Sequence, residues 1–318
     1  MSDTLILAPM QGITDHIFRN THHKHFGAFH EMMAPYILAH GEKAPRQNIL
    51  KKIFQHQLTE FKLVPQLLGN DANAMIIFCN QLQEIGYTEV NWNLGCPYEF
   101  VTKKKRGSGL LPHPDIIKQI LKDLFPQIKV DFSVKIRLGL SDQNEIYAVL
   151  DVLNHFPIKE IIIHPRTADQ KYDGKVFLEE FKKYLQITKH QVVYNGDIYT
   201  KDDFLSYKNM FPTIHRWMIG RGVLINPLLP SLILEKSSKS KEERYNQFIA
   251  FYNDIYQQYK QKIRNSSRLL NRTKEIWSYQ SQAFDKSEEV FNTIKNIHDV
   301  HQLEETVKSL PAQFKWLG

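Results

Sequence analysis

The chain has 318 residues, 42% of them apolar and 24% charged, with a formal net charge of +7. That describes a globular protein with room for one barrel-sized domain and a smaller one, while the charge favours a polyanionic partner without requiring one. Two cysteines, Cys79 and Cys96, exclude a disulfide framework and point to a reducing, cytoplasmic setting. Asp3 and the lack of early basic residues argue against a signal or transit peptide, and Leu5-Ile6-Leu7 is far too short to span a membrane. Strands are predicted at residues 4–10, 29–34, 62–68, 89–94, 132–138, 160–164, 191–195 and 216–219. Helical runs lie between most of them, such as 72–85, 114–125 and 145–154. Continuous apolar runs such as Ile161-Ile162-Ile163 and Trp217-Met218-Ile219 suit a parallel sheet buried on both faces. Eight strands alternating with helices predict a (β/α)8 TIM barrel, with a doubly wound sheet as the alternative.

The character changes after Pro227 and Pro230. Lys236-Ser237-Ser238-Lys239-Ser240-Lys241 is a polar linker. Beyond it Tyr245, Phe248, Ile249, Tyr252, Ile255 and Tyr256 recur at helical spacing, as do later runs at 267–284, 287–298 and 302–310. A C-terminal all-helical domain is therefore expected over 242–318, after a barrel over 1–235, with the aromatic stripe as its core.

The most informative stretch is Glu89-Val90-Asn91-Trp92-Asn93-Leu94-Gly95-Cys96-Pro97. Val90, Trp92 and Leu94 alternate with Asn91 and Asn93, and Gly95 and Pro97 end the strand, so a thiol sits at its tip beside an amide. The plain reading of Cys96 is an apolar filler; its polar neighbours favour a chemical role. Other strands end in the same manner: Ala8-Pro9-Met10-Gln11-Gly12, Gln66 with Gly69, Lys135 with Arg137, His164 with Arg166, Asn195-Gly196-Asp197 and Gly220-Arg221-Gly222. Polar strand ends gathered on one rim describe a site, and glycines after the last two strands suit a phosphate. Lys135, inside an apolar strand, must meet solvent, a carboxylate or a ligand, and His164 is either a satisfied core histidine or a ligand group. No triad base accompanies Cys96, and no His/Cys cluster has metal spacing; His22-His23-Lys24-His25 reads as a solvated helix end.

Several pieces occur in the order seen in tRNA-dihydrouridine synthases, which the chain resembles. They are Leu7-Ala8-Pro9-Met10-Gln11-Gly12, Gln66-Leu67-Leu68-Gly69, Asn93-Leu94-Gly95-Cys96-Pro97, Val134-Lys135-Ile136-Arg137-Leu138-Gly139, His164-Pro165-Arg166-Thr167, Asn195-Gly196-Asp197-Ile198 and Met218-Ile219-Gly220-Arg221-Gly222. Arg272-Thr273-Lys274-Glu275-Ile276-Trp277-Ser278-Tyr279 also looks like a helix of that family's RNA-binding domain. The resemblance implies a monomeric, metal-free FMN enzyme that uses NADPH or NADH to reduce uridine in tRNA. Hydride would pass from reduced FMN to C6, and a proton from Cys96 to C5. It implies cofactor contacts at Pro9, Met10, Gln66, Lys135, His164, Asn195, Gly196, Asp197, Gly220 and Arg221. For the substrate it implies Asn93 and Arg166, with Lys103, Lys104, Lys105 and Arg106 on a loop and Arg264, Arg268, Arg272 and Lys274 in the helical domain. The chain departs from the family at Glu99, where a lysine is usual, and at Lys103-Lys104-Lys105-Arg106-Gly107-Ser108-Gly109, where a glycine-rich loop is usual. Two other readings are a flavin barrel acting on a free dihydropyrimidine or dihydroorotate, and a non-catalytic RNA-binding barrel. The first leaves the helical domain without a role, and the second is at odds with the presence of Cys96, Lys135, His164 and Arg221.

Overall fold

The computed structural model describes residues 2–41, 50, 61–236 and 238–318. Two compact units emerge: Met1–Gly12, His30–Gly196 and Lys208–Met218 form the first, and Ile13–Phe29, Asp197–Tyr207 and Ile219–Gly318 the second. Within the linker expected at 236–241, Ser237 lies outside the described residues.

The first unit is built on a parallel sheet of ten short strands. These are β1 (Thr4–Leu7), β2 (Glu31–Met33), β3 (Ile37–Leu38), β4 (Lys62–Val64), β5 (Gln66–Leu68), β6 (Glu89–Leu94), β7 (Asp131–Gly139), β8 (Glu160–Thr167), β9 (Gln191–Asn195) and β10 (Arg216–Ile219). Four of them are halves of two interrupted strands. Pro65, which has no N–H to give a ladder, separates β4 from β5. Between Met33↔Val64 and Ile37↔Leu67 one side advances four residues and the other three, so a one-residue bulge at Ala34-Pro35-Tyr36 separates β2 from β3. The 62–68 segment bonds to β2 through its first half and to β6 through its second. Within the order the last strand lies beside the first, and Thr4 N–H donates to His215 O at 2.8 Å where β10 meets β1, so the order begins and ends on halves of the same two interrupted strands. The eight predicted strands thus close a barrel, and the doubly wound alternative is set aside.

Ile6, Ala8, Met33, Val64, Ile162, Val193 and Met218 pack together as an apolar cluster drawn from six of these strand segments. Charged residues at the strand starts floor the barrel. Lys62 and Lys159 (2.7 Å) pair with Glu89, and Arg216 pairs with Glu31 (2.9 Å) and Glu160 (2.7 Å). Burial alone would raise the Glu89 carboxyl, but Lys159 and Lys62 hold it below the usual carboxylate range. The carboxylates near the barrel axis are therefore occupied at the end opposite Cys96.

In the second unit, Ser240 and Glu243 form a reciprocal capping box that starts a helix at Lys241–Lys262. Of the expected stripe on this helix, Phe248, Tyr252, Ile255 and Tyr256 are buried with Phe251 beside them, whereas Tyr245 and Ile249 are half-buried. Helices Ser266–Gln280, Ser287–Lys295 and Val300–Gln313 complete the predicted helical region. The helix His16–Phe26 joins this unit, with the rings of Phe18, His22 and Phe26 around Phe251 at 5.7, 5.9 and 5.1 Å. The expectation of a solvated histidine run is corrected here. His22 is fully buried and bonded to Pro227 O at 2.9 Å, and burial pushes its pKa down to about 3. Among the described residues, no helix is long and apolar enough to cross a membrane.

Candidate active site at the strand ends of the first unit

A continuous chain of buried polar side chains rises from the charged floor to Cys96. Ser133 Oγ donates to Glu89 Oε1 (3.2 Å), and Asn91 Nδ2 donates to Ser133 Oγ (2.9 Å). Gln66 Nε2 donates to Asn91 Oδ1 (2.8 Å), and Asn93 Nδ2 donates to Gln66 Oε1 (2.8 Å). Asn93 Oδ1 then accepts the backbone N–H groups of Gly95 (3.0 Å) and Cys96 (2.9 Å), fixing the turn that carries the thiol. The period-two alternation of β6 makes this possible, since Asn91 and Asn93 leave the strand on the same face.

Cys96 is only 6% exposed and packs with Leu68, Val101 and Tyr36. The loop that follows is folded back onto it. Ser108 donates to Cys96 O from both its backbone N–H (3.2 Å) and its hydroxyl (2.8 Å). Gly107, at φ +55°, lies so close that a Cβ there would fall 2.9 Å from Cys96 Cβ. Burial raises the thiol pKa, and the Tyr98 backbone N–H, the Tyr36 hydroxyl, Arg137 and Lys135 offset only part of that rise. The result is a thiol that keeps its proton at neutral pH, with hydrogen-bond donors and positive charge ready for the thiolate it leaves.

Lys135 stands beside Asn93 in the β6–β7 ladder. It has no hydrogen-bond or ion-pair partner among the described residues, and burial, with Arg137 nearby, pushes its pKa down to about 7. With the interior carboxylates committed at the floor, this cation is suited to an anionic ligand. Arg137 instead binds main chain, donating to Gly95 O (3.0 Å) and Thr167 O (2.8 Å), with its guanidinium 5.4 Å from the Tyr172 ring centre. The buried pair His164 and Arg166 contact each other at 3.3 Å, and Arg166 also reaches Asp173 O and Gly174 O. Asn195 Nδ2 donates to Met218 O (2.9 Å), and a Cβ at Gly196 would press on Val176 and on the His164 ring. Pro9 and Met10 are half-buried at the end of β1. Gln66, Asn93, Lys135, Arg166 and Cys96 thus lie on neighbouring strand ends of one unit.

The remaining expected residues are placed differently. In the second unit Arg221 Nη2 donates to Asp197 Oδ1 (2.7 Å) and its guanidinium lies over the Tyr199 ring, with Gly220 just before it. Arg272 is held by Tyr259, Ile13 O (3.3 Å) and Glu275 (2.9 Å), so it serves its own unit first. Arg264 and Arg268 are exposed and Lys274 is half-buried. On the first unit's loop Lys103, Lys104 and Lys105 are exposed, whereas Arg106 Nε donates to Asn70 Oδ1 (3.0 Å).

Sequence reasoning missed Tyr36 and the Gly107-Ser108 clamp. Tyr36 follows the second strand, so the strand-end rule applied there would have found it. The clamp depends on a loop folding back eleven residues after Cys96, which no local pattern announces.

A sequence profile of the family described as Dihydrouridine synthase (Dus) matches residues 6–315. A relative from Pasteurella multocida, tRNA-dihydrouridine synthase B, is 30% identical over 272 residues, covering 81% of this chain and 79% of that one. The tRNA-dihydrouridine(16) synthase of Neisseria meningitidis serogroup B is 24% identical over 320 residues, covering 98% of this chain and 94% of that one. Among solved structures, a 2-naphthoyl-CoA reductase complex is similar in fold, with a TM-score of 0.54 at 11% identity over 73% of this chain and 50% of that chain.

Proposed function

The chain belongs to the dihydrouridine synthase family, and from that premise we propose that it reduces uridine to 5,6-dihydrouridine in tRNA with FMN as its flavin and NADPH or NADH as reductant. The observation that carries the reading is the buried thiol of Cys96 at a strand end, positioned by Asn93, packed against Tyr36, and with Lys135 beside Asn93 on the neighbouring strand. Lys135, without a partner among the described residues, fits a flavin, whose reduced ring is anionic. Gln66, Lys135, His164, Asn195 and Gly196 of the first unit are the proposed cofactor contacts, with Pro9 and Met10 flanking them. Asp197, Gly220 and Arg221 are carried as phosphate-side candidates from the family resemblance; a phosphate at Arg221 would compete with its Asp197 carboxylate. When bound, FMN supplies the hydride for C6 of the uracil.

Cys96 then gives its proton to C5. A thiol near neutral pH donates readily without an activating base, which accounts for the absence of a triad in the pattern of residues. The thiolate left behind is met by the Tyr36 hydroxyl, the Tyr98 N–H and the charges of Arg137 and Lys135, and solvent returns the proton. Asn93 holds Cys96 in position, and Arg166, fixed by His164 and two carbonyls, orients the substrate. A uridine inside folded RNA must be swung out to reach the thiol, at a cost of a few kcal/mol that phosphate contacts offset. Lys103–Arg106, Arg268, Arg272 and Lys274 are the proposed sources of those contacts.

The test begins with acid release of the chromophore and its identification by mass; FAD, or no flavin after reconstitution, overturns the cofactor. Reduced protein is then mixed with unmodified tRNA, uracil or orotate. Reoxidation accelerated by tRNA, with dihydrouridine formed, supports the reading. Acceleration by uracil or orotate alone replaces it with a small-molecule reductase.

A further inference from the structure

Two aromatic side chains beside the thiol have no part in the chemistry above. Tyr98 and Phe100 are 50% and 67% exposed, and their rings stack with centroids 5.7 Å apart and planes 15° from parallel. They flank the start of a one-turn helix, Glu99–Thr102, in which only Val101 is buried. The loop that bears them is firmly anchored. Gly107 and Ser108 are clamped on Cys96, and a Cβ at Gly109 would lie 2.4 Å from Thr102 O. Two large rings presented to solvent on a fixed loop make a prepared surface.

The charge around the rings says what that surface receives. Lys103, Lys104 and Lys105 follow within five residues of Phe100, and all three are exposed. Lys103 pairs with Glu99, whereas the ammonium groups of Lys104 and Lys105 have no partner among the described residues. Stacked aromatics next to free cations are what single-stranded nucleic acid binds: each base has a π face for the ring, and each phosphate a charge for the lysine. The surface is continuous with the reaction centre, because the backbone N–H of Tyr98 bonds the Cys96 thiol.

We infer that the Tyr98–Phe100 stack is a platform for an RNA base adjoining the uridine that enters the site, with Lys104 and Lys105 on the adjoining phosphates. This rests on the proposed reduction of uridine in RNA. Extruding one nucleotide strips its neighbours of a stacking partner, and the platform replaces that partner.

The test uses the full chain with its flavin and an unmodified tRNA transcript, titrated over a range of KCl concentrations. Phe100→Ala is expected to weaken binding by about tenfold while leaving the salt dependence unchanged, since a ring releases no counterion. Phe100→Trp is expected to restore or tighten binding. Lys104→Ala with Lys105→Ala is expected to flatten the slope of log affinity against log salt by about 0.7–0.9 for each lost contact. Unchanged affinity in Phe100→Ala overturns the inference, which leaves the rings to a protein partner. A loss that comes with a lower melting temperature and is not rescued by tryptophan also overturns it. If wild type reduces uridine in the transcript while Phe100→Ala behaves identically, the platform alone fails. If wild type neither binds nor reduces the transcript, the platform falls together with the proposed function.

Discussion

Asn93 holds Cys96 by accepting its backbone N–H at 2.9 Å, and the same side chain donates to Gln66 at 2.8 Å. The amide is thus used at both ends by the protein, so its effect on substrate passes through the position of the thiol. Asn93→Asp keeps the acceptor for the two backbone N–H groups but sets a carboxylate against Gln66 Oε1. It is expected to lower stability by ~1–3 kcal/mol through the buried polar chain. Thermal unfolding measures this; a variant as stable as wild type would show that the chain can rearrange at no cost.

Cys96→Ala is expected to retain flavin and NADPH oxidation while dihydrouridine formation falls by ~10²–10⁴-fold, the usual worth of a general acid. Full product formation by the variant at neutral pH removes Cys96 from the mechanism. Cys79, buried in its helix with burial pushing its pKa up to about 12, is the control, and Cys79→Ala should turn over as wild type does.

Tyr36→Phe removes a hydrogen bond that favours the Cys96 thiolate, so the thiol pKa should rise further above its ordinary value. Alkylation by iodoacetamide, which consumes thiolate, should slow at a fixed pH, and its profile should move to higher pH. A profile that stays in place, or moves down, means the Tyr36 hydroxyl does not act on the thiol.

Lys135→Met should have opposite effects on the flavin-free and flavin-loaded protein. In the free protein the Lys135 pKa is about 7 against an ordinary 10.5, so its charge is a penalty, present in full below pH 7. Between those values the unfolded chain holds a proton that the folded one has released, and wild-type stability rises with pH. The variant is therefore expected to be more stable by ~1–2 kcal/mol at pH 6, with the gap narrowing towards pH 10. Flavin affinity should instead fall by about tenfold or more. Equal flavin affinity in the two proteins would refute the assignment of Lys135 to the cofactor.

Arg272 and Arg268 share a helix and should separate cleanly. Arg272→Ala strips the contacts to Tyr259, Ile13 and Glu275 and is expected to cost ~1.5–3 kcal/mol. Arg268→Ala should leave the melting temperature alone, weaken tRNA binding and flatten the salt slope by about 0.7–0.9. If Arg268→Ala binds with unchanged affinity and slope, that arginine is a solvated charge.

The strands, their parallel order and the helical C-terminal region were legible in the sequence because each is a local matter. Buried parallel strands must be apolar throughout, amphipathic helices repeat every three to four residues, and glycine, proline and asparagine mark the ends. Cys96, Lys135 and His164 could be singled out for the same reason: a polar group at a strand end is visible in the run that precedes it. What the sequence left open was how those groups are used. Whether Lys135 met a carboxylate depended on where the barrel puts its acids, and Lys62, Lys159 and Arg216 hold Glu89, Glu31 and Glu160 at the far end. His22 reads as exposed in a run of polar neighbours, yet it is buried because its helix packs on a segment more than two hundred residues away. The bulge at Ala34–Tyr36 and the fold-back of Gly107-Ser108 bring Tyr36 and a clamp to Cys96. These contacts join segments far apart in the chain or fold a loop back on its own start, so register and packing decide which side chains meet, and no local propensity encodes them.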